Sequence, residues 1–158
     1  MANPISGSYT AGDAITFADA MVEVDVNDEG DWAVINTWAT EISVTGEDIP
    51  YTETYPFEGS AIVFTGTKSS VEVTVTCVYT EGTADPYHNI RTRFESGNGV
   101  AFEVRWVPAD SASGNKRFTT AGGKLMACTL PQGSGSADTA NQFTFVVRAD
   151  SVSMGTIT

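Results

Sequence analysis

Val71-Glu72-Val73-Thr74-Val75-Thr76-Cys77-Val78-Tyr79 decides the fold class. Val71, Val73, Val75, Cys77 and Tyr79 fall on one face of an extended chain, and Glu72, Thr74, Thr76 and Val78 on the other. Such period-two alternation marks a strand with one buried side. Branching at Cβ stiffens Val and Thr, which suits them to pleated strands. Downstream, Val100, Phe102, Val104 and Trp106 alternate up to Pro108, and further strands read near 117–121, 124–130, 142–149 and 152–157. Upstream, Val22, Val24 and Val26 alternate with Glu23 and Asp25, a half-buried strand. The turn Asn27-Asp28-Glu29-Gly30-Asp31 joins it to a strand from Trp32 to about Thr45, and the two form an acidic hairpin.

A single helix stands apart, at about residues 85–97. Asp85 supplies the cap, Pro86 fits the first helical position and Gly97 suits the stop. Tyr87, Ile90 and Phe94 fall on one face and form its docking stripe. Alone a helix this short is marginal, so it must dock on a sheet. The composition agrees: two leucines stand against sixteen valines and twenty-one threonines. The expectation is a mainly β protein, a β-sandwich or barrel with one short packed helix. At 158 residues it is one domain with a single core.

Charge is unevenly placed. Residues 1–67 carry twelve carboxylates and no Lys or Arg, whereas residues 68–158 carry eight of each sign, so the net −12 belongs to the first part. An acidic balance of this kind argues against classical nucleic-acid binding, which needs clustered Lys and Arg to neutralise phosphates. No apolar run exceeds four residues, far below a membrane-spanning helix. The opening MANPISGSYTAG has neither the basic nor the apolar region of a secretory leader, and residues 1–14 read as a polar arm. From Gly46 to Ser60 (GEDIPYTETYPFEGS) two prolines, four carboxylates and three aromatic rings make a long loop too polar for core and too aromatic for plain solvent.

Catalytic constellations are not legible. His88 is the sole histidine, there is no G-x-S-x-G elbow, and neither a phosphate loop nor a dinucleotide fingerprint occurs. The expectation is no enzyme, no catalytic residue, no metal and no cofactor. Asp25 to Asp31 resembles the opening of a calcium loop, but its twelfth position is Asn36 where a bidentate Glu is needed, and strands flank it. A hairpin turn is the preferred reading. Cys77 and Cys128, both within strand patterns, are expected as buried free thiols. Trp32, Trp38 and Trp106 suit a core or subunit contact better than a sugar-stacking face.

A run of features resembles a known family. The polar arm and acidic hairpin lead to Trp32-Ala33-Val34, the long Pro-containing loop, and the helix entry Tyr79-Thr80-Glu81-Gly82…Asp85-Pro86. Then follow Val100-Ala101-Phe102-Glu103-Val104-Arg105-Trp106, Gly122-Gly123-Lys124-Leu125-Met126-Ala127-Cys128, Pro131-Gln132-Gly133…Asp138 and Phe143-Thr144-Phe145. In order and spacing, residues 15–158 resemble the major tail tube proteins of long-tailed bacteriophages with non-contractile tails, related in architecture to the type VI secretion tube protein. The resemblance implies a non-catalytic virion protein, made in the host cytoplasm, whose rings of six stack into the hollow tail. It implies partners in further copies of itself, in tail tip or terminator proteins and in a tape-measure protein. Viral DNA passes through without specific binding, and no membrane is involved. On that reading Glu23, Asp25, Glu41 and Glu72 line the lumen. Tyr51, Tyr55 and Phe57 of the 46–60 loop contact the adjoining ring, while residues 1–14 and 151–158 order on stacking. Competing readings are another virion protein, such as a capsid decoration protein, and a β-sandwich carbohydrate-binding or adhesion module.

Overall fold

A computed structural model describes residues 19–135 and 140–158. The arm expected at 1–14 lies outside the described residues. In chain order the elements are β1 (Met21–Asp25), β2 (Ala33–Val34), β3 (Ala39–Gly46), β4 (Tyr51–Thr54), β5 (Ile62–Thr65), β6 (Val71–Val78), α1 (Pro86–Glu95), β7 (Glu103–Val107), β8 (Lys116–Ala121), β9 (Lys124–Cys128), β10 (Gln142–Ala149) and β11 (Ser151–Thr156). They build a five-stranded sheet in the order β11-β8-β7-β1-β2, a four-stranded sheet in the order β3-β6-β10-β9, and a separate pair, β4-β5. Every strand pairing is antiparallel, and none of the three sheets closes into a barrel.

The stretch that decides the fold becomes β6, between β3 and β10. Its alternation translates directly: Val71, Val73, Val75 and Cys77 are fully buried. Directly opposite on β10, Phe143, Phe145, Val147 and Ala149 continue the same inner face. Val22, Val24, Phe102, Val104 and Trp106 join them in one core. Fully burying such side chains stabilises by about 1.5–3 kcal/mol each, the main force holding the layers together.

The helix closes this core. Asp85 Oδ1 accepts the Tyr87 N–H at 2.7 Å, and its Oδ2 accepts the Thr80 N–H at 2.5 Å and the Thr80 hydroxyl at 2.9 Å. One carboxylate therefore caps the helix and ties it to the end of β6. Ile90 is fully buried, Tyr87 and Phe94 partly so, and the Tyr87 ring meets Phe143 edge-on at 4.9 Å.

Residues 151–158 do not wait for stacking to order, because Ser151–Thr156 already pairs along its length with Lys116–Ala121. Three further sequence expectations need correction. The strand expected from Trp32 to about Thr45 is two strands in two sheets. After β2 the chain turns at Asn36-Thr37, where the Trp38 and Ala39 N–H groups both bond back to the Ile35 carbonyl, and β3 then pairs with β6. The acidic hairpin is accordingly short, with β1 and β2 paired through Glu23–Val34 and Val24–Ala33. Secondly, β1 is not half-buried. It is an inner strand with β2 and β7 on its two sides, and Glu23 and Asp25 are as buried as its valines. Thirdly, the 46–60 segment is no simple loop, because Tyr51–Thr54 pairs in register with Ile62–Thr65.

Candidate assembly surfaces

The β4-β5 hairpin stands away from the two sheets. Every residue of both strands is exposed. Register places Tyr51, Glu53, Val63 and Thr65 on one face, and Thr52, Thr54, Ile62 and Phe64 on the other. Apolar groups thus look outward on both sides: Tyr51 is 67% exposed, Val63 54%, Ile62 49% and Phe64 58%. Near the tip Tyr55 is 72% exposed, its hydroxyl on Glu53 at 2.6 Å, and Phe57 stands completely free. A two-stranded ribbon is marginal in water, and apolar side chains on both of its faces are satisfied only by something that covers them.

Its root is firmly held. The Gly66 N–H bonds the Pro50 carbonyl at 2.7 Å. The Ser69 N–H bonds the Asp48 carbonyl at 2.8 Å, and the Asp48 N–H returns a bond to Ser69 Oγ at 3.0 Å. Below these, Lys68 Nζ meets Glu47 Oε1 at 2.8 Å. The Lys68 hydrogen bond holds the Glu47 carboxyl below its ordinary value; slight burial opposes this, while the Lys68 charge and the Val152 N–H assist.

A second surface is the outer face of the four-stranded sheet. Thr74, Thr76, Thr144 and Val146 occupy its centre, with Glu41, Ser43 and Thr45 on β3. Glu41 is exposed and Glu72 half-buried on this face. At one end Glu72 opposes Arg148, and Arg148 opposes Lys124, so two cations share the face with the two acids. Beside it β3, eight residues long, forms an edge with no further strand paired to it among the described residues. Unpaired edges of that length invite another strand.

The other two lumen candidates face elsewhere. Glu23 lies on the outer side of the five-stranded sheet, where its carboxylate takes Arg105 Nε at 2.5 Å and Nη2 at 2.8 Å. The same guanidinium lies 4.3 Å from the Trp32 ring centroid. Asp25 accepts the Gly30 N–H at 2.6 Å and those of Asn27 and Glu29 at 3.3 Å. This carboxylate, which a calcium loop would turn toward the ion, is spent on closing its own turn. The sequence signal missed here was Arg105, 82 positions from Glu23.

The remaining candidates for chemistry are dispersed. His88 is exposed on the outer side of the helix, beside a groove of about 540 Å³ shared with Asp25, Asn27 and Asp31. A larger groove of about 840 Å³ runs along β3 past Met21, Asn36 and Asp110. Among the described residues no three His, Cys, Asp or Glu converge as metal ligands. Trp106 is in the core, Trp38 packs at its margin and Trp32 lies under Arg105, so the three indoles share no face. No helix among the described residues is long and apolar enough to cross a membrane.

No family model matches the chain, and neither does any curated protein. Solved structures do. A chain of the sheath/tube terminator of PVC, an extracellular contractile injection system in its extended state, superposes with a TM-score of 0.64. It is 17% identical, and the match covers 90% of this chain and 96% of that one. The chain shares its fold with this injection-system chain. A chain of the PVC sheath-tube complex gives a TM-score of 0.62 at 18% identity, over 95% of this chain and all of the other. One from the tail of an empty gene transfer agent particle, refined with C6 symmetry, gives 0.61 at 11% identity, over 92% of this chain and all of its own length. Contractile injection systems and gene transfer agent particles are thus both among the structural neighbours, and the likeness does not single out non-contractile tails.

Proposed function

We propose that this protein is a non-catalytic tail component whose copies form rings of six, stacked into the hollow tube of a phage-like particle. The observation that carries the reading is the β4-β5 hairpin, an arm with apolar side chains on both faces, joined to the body through its rigid root. In this account Tyr51, Tyr55 and Phe57 seat on a copy in the adjoining ring, with Ile62 and Phe64 on the arm's other face. A contact between two different patches of one chain is heterologous, and repeats of it close into rings or extend into filaments. The unpaired β3 edge supplies a lateral contact, since joining edges within a ring removes the hazard of an open sheet.

The polar outer face of the four-stranded sheet lines the passage, with Glu41 and Glu72 as its carboxylates. Glu23 and Asp25 serve the fold of each subunit from within. Because Lys124 and Arg148 stand on the same face, its charges cancel, and hydroxyl-rich neutrality is what keeps a passing duplex from sticking. A bore dominated by Lys and Arg would bind phosphates tightly by counterion release. Terminator, tip and tape-measure proteins are the further partners, viral DNA is the cargo, and the virion tail is the place.

Deletion of Asp48–Glu58 tests the reading. Negative-stain microscopy of the purified variant should show folded monomers or rings that fail to elongate, where the parent chain forms hollow filaments. Filaments of normal length from the deletion variant, or globular trimers from the parent chain, would sink it.

A further inference from the structure

The hairpin's direction is set where it leaves the body, because beyond Pro50 and Gly66 both strands are exposed at every residue. From Pro50 to Phe57 an extended chain reaches about 20 Å, so a tilt of about 15° at the root moves the tip by about 5 Å. That is enough to miss a seat shaped for an aromatic ring. What fixes the tilt is a double reversal: Gly46 has φ +103° and Glu47 φ +62°. A Cβ at position 46 would overlap the Ser70 carbonyl oxygen, so glycine is required there. Glu47 has no such freedom, and a non-glycine residue in left-handed backbone persists where its surroundings over-determine it.

We propose that the Glu47–Lys68 ion pair is a positioning clamp, locking the left-handed turn at the hairpin root so that the arm is held at the angle another copy receives. This rests on the reading of the hairpin as the stacking element. The pair joins the two legs at their base, and the Asp48–Ser69 and Pro50–Gly66 bonds continue the closure upward. Lys68 is 49% exposed and Glu47 39%, so the pair adds little to the stability of the fold. Its effect falls on pose. A binding element that occupies its competent orientation only part of the time binds weaker by that fraction. The clamp is also screened by salt, so its contribution to elongation shrinks as ionic strength rises.

The test uses the whole chain, with Lys68→Gln, Glu47→Gln and the exchanged pair Glu47→Lys/Lys68→Glu. Thermal midpoints should match the parent. Elongation followed by light scattering should slow roughly two- to fivefold in each single variant, the range an exposed pair commands, and recover in the exchanged pair. Hydrogen exchange at the Gly66 and Ser69 amides should quicken in the single variants alone. Parent-like elongation in Lys68→Gln, or no recovery in the exchanged pair, would overturn the clamp. Should Glu47→Gln unfold, Lys68→Gln decides, since Lys68 has no other polar partner among the described residues. If the Asp48–Glu58 deletion blocks elongation while Lys68→Gln does not, only the clamp fails; if the deletion elongates normally, the stacking role fails with it.

Discussion

Phe57→Ala isolates the arm's contribution to assembly from its contribution to folding. In the single chain the Phe57 ring is 112% exposed, so it makes no contact whose loss the fold could feel. Surface substitutions of this kind change stability by about 0.5 kcal/mol or less. Buried against another copy, the same ring is worth about 1.5–3 kcal/mol. At about 1.4 kcal/mol per tenfold change, that is roughly a 10- to 150-fold rise in the concentration at which filaments appear. The six apolar side chains of the hairpin together expose the equivalent of about four whole residues, so one truncation removes about a quarter of what the arm can offer. Sedimentation across a concentration series, with negative-stain counts of filament length, reads the shift, and thermal unfolding of unassembled protein gives the control. An unchanged threshold would refute the reasoning. So would a fall in the unfolding midpoint, since Phe57 would then be serving the fold.

Three further outcomes bear on the body of the molecule. Asp85→Ala removes an acceptor serving Tyr87 and Thr80, and should destabilise by about 1–2 kcal/mol in urea unfolding, with the helix region exchanging hydrogen faster. Phe145→Ala deletes a fully buried ring that meets Phe102 at 5.7 Å; it should cost about 3–5 kcal/mol, and a loss under 1 kcal/mol would place the core elsewhere. Burial pushes the thiol of Cys77 up to about 12, with the Asp85 and Cys128 charges adding to it, and that of Cys128 up to about 11 against the opposing pull of Arg91. Both raised thiols contribute stability that is whole below the ordinary cysteine value and is lost as pH rises toward their folded values, so unfolding free energy should fall from about pH 9 upward. At pH 8 a maleimide should label native protein far more slowly than unfolded protein, and equal rates would contradict the burial.

Much of the architecture was legible because it is encoded locally. The alternation in Val71–Val78 names a strand and its buried face whatever its neighbours are, since successive side chains of an extended backbone point oppositely. Asp85-Pro86 likewise announces the helix through the chemistry of its first turn. The arm was partly visible: Tyr51, Tyr55 and Phe57 stood out as aromatics in a polar stretch, but their setting in a ribbon paired with Ile62–Thr65 did not. Glu23 and Asp25 misled because alternation reports that two faces differ, not that one of them is wet.

Local pattern therefore determined the β class, the helix and the confinement of excess acid to the first 67 residues. Tertiary structure decided which carboxylates are available. Arg105 and Trp32 close over Glu23, three backbone N–H groups consume Asp25, and Glu41 and Glu72 remain on a face they share with Lys124 and Arg148. The reason is that burial of a strand's second face and the sign of its neighbours depend on residues scores of positions away, brought there by sheet order, to which periodicity along one segment carries no reference.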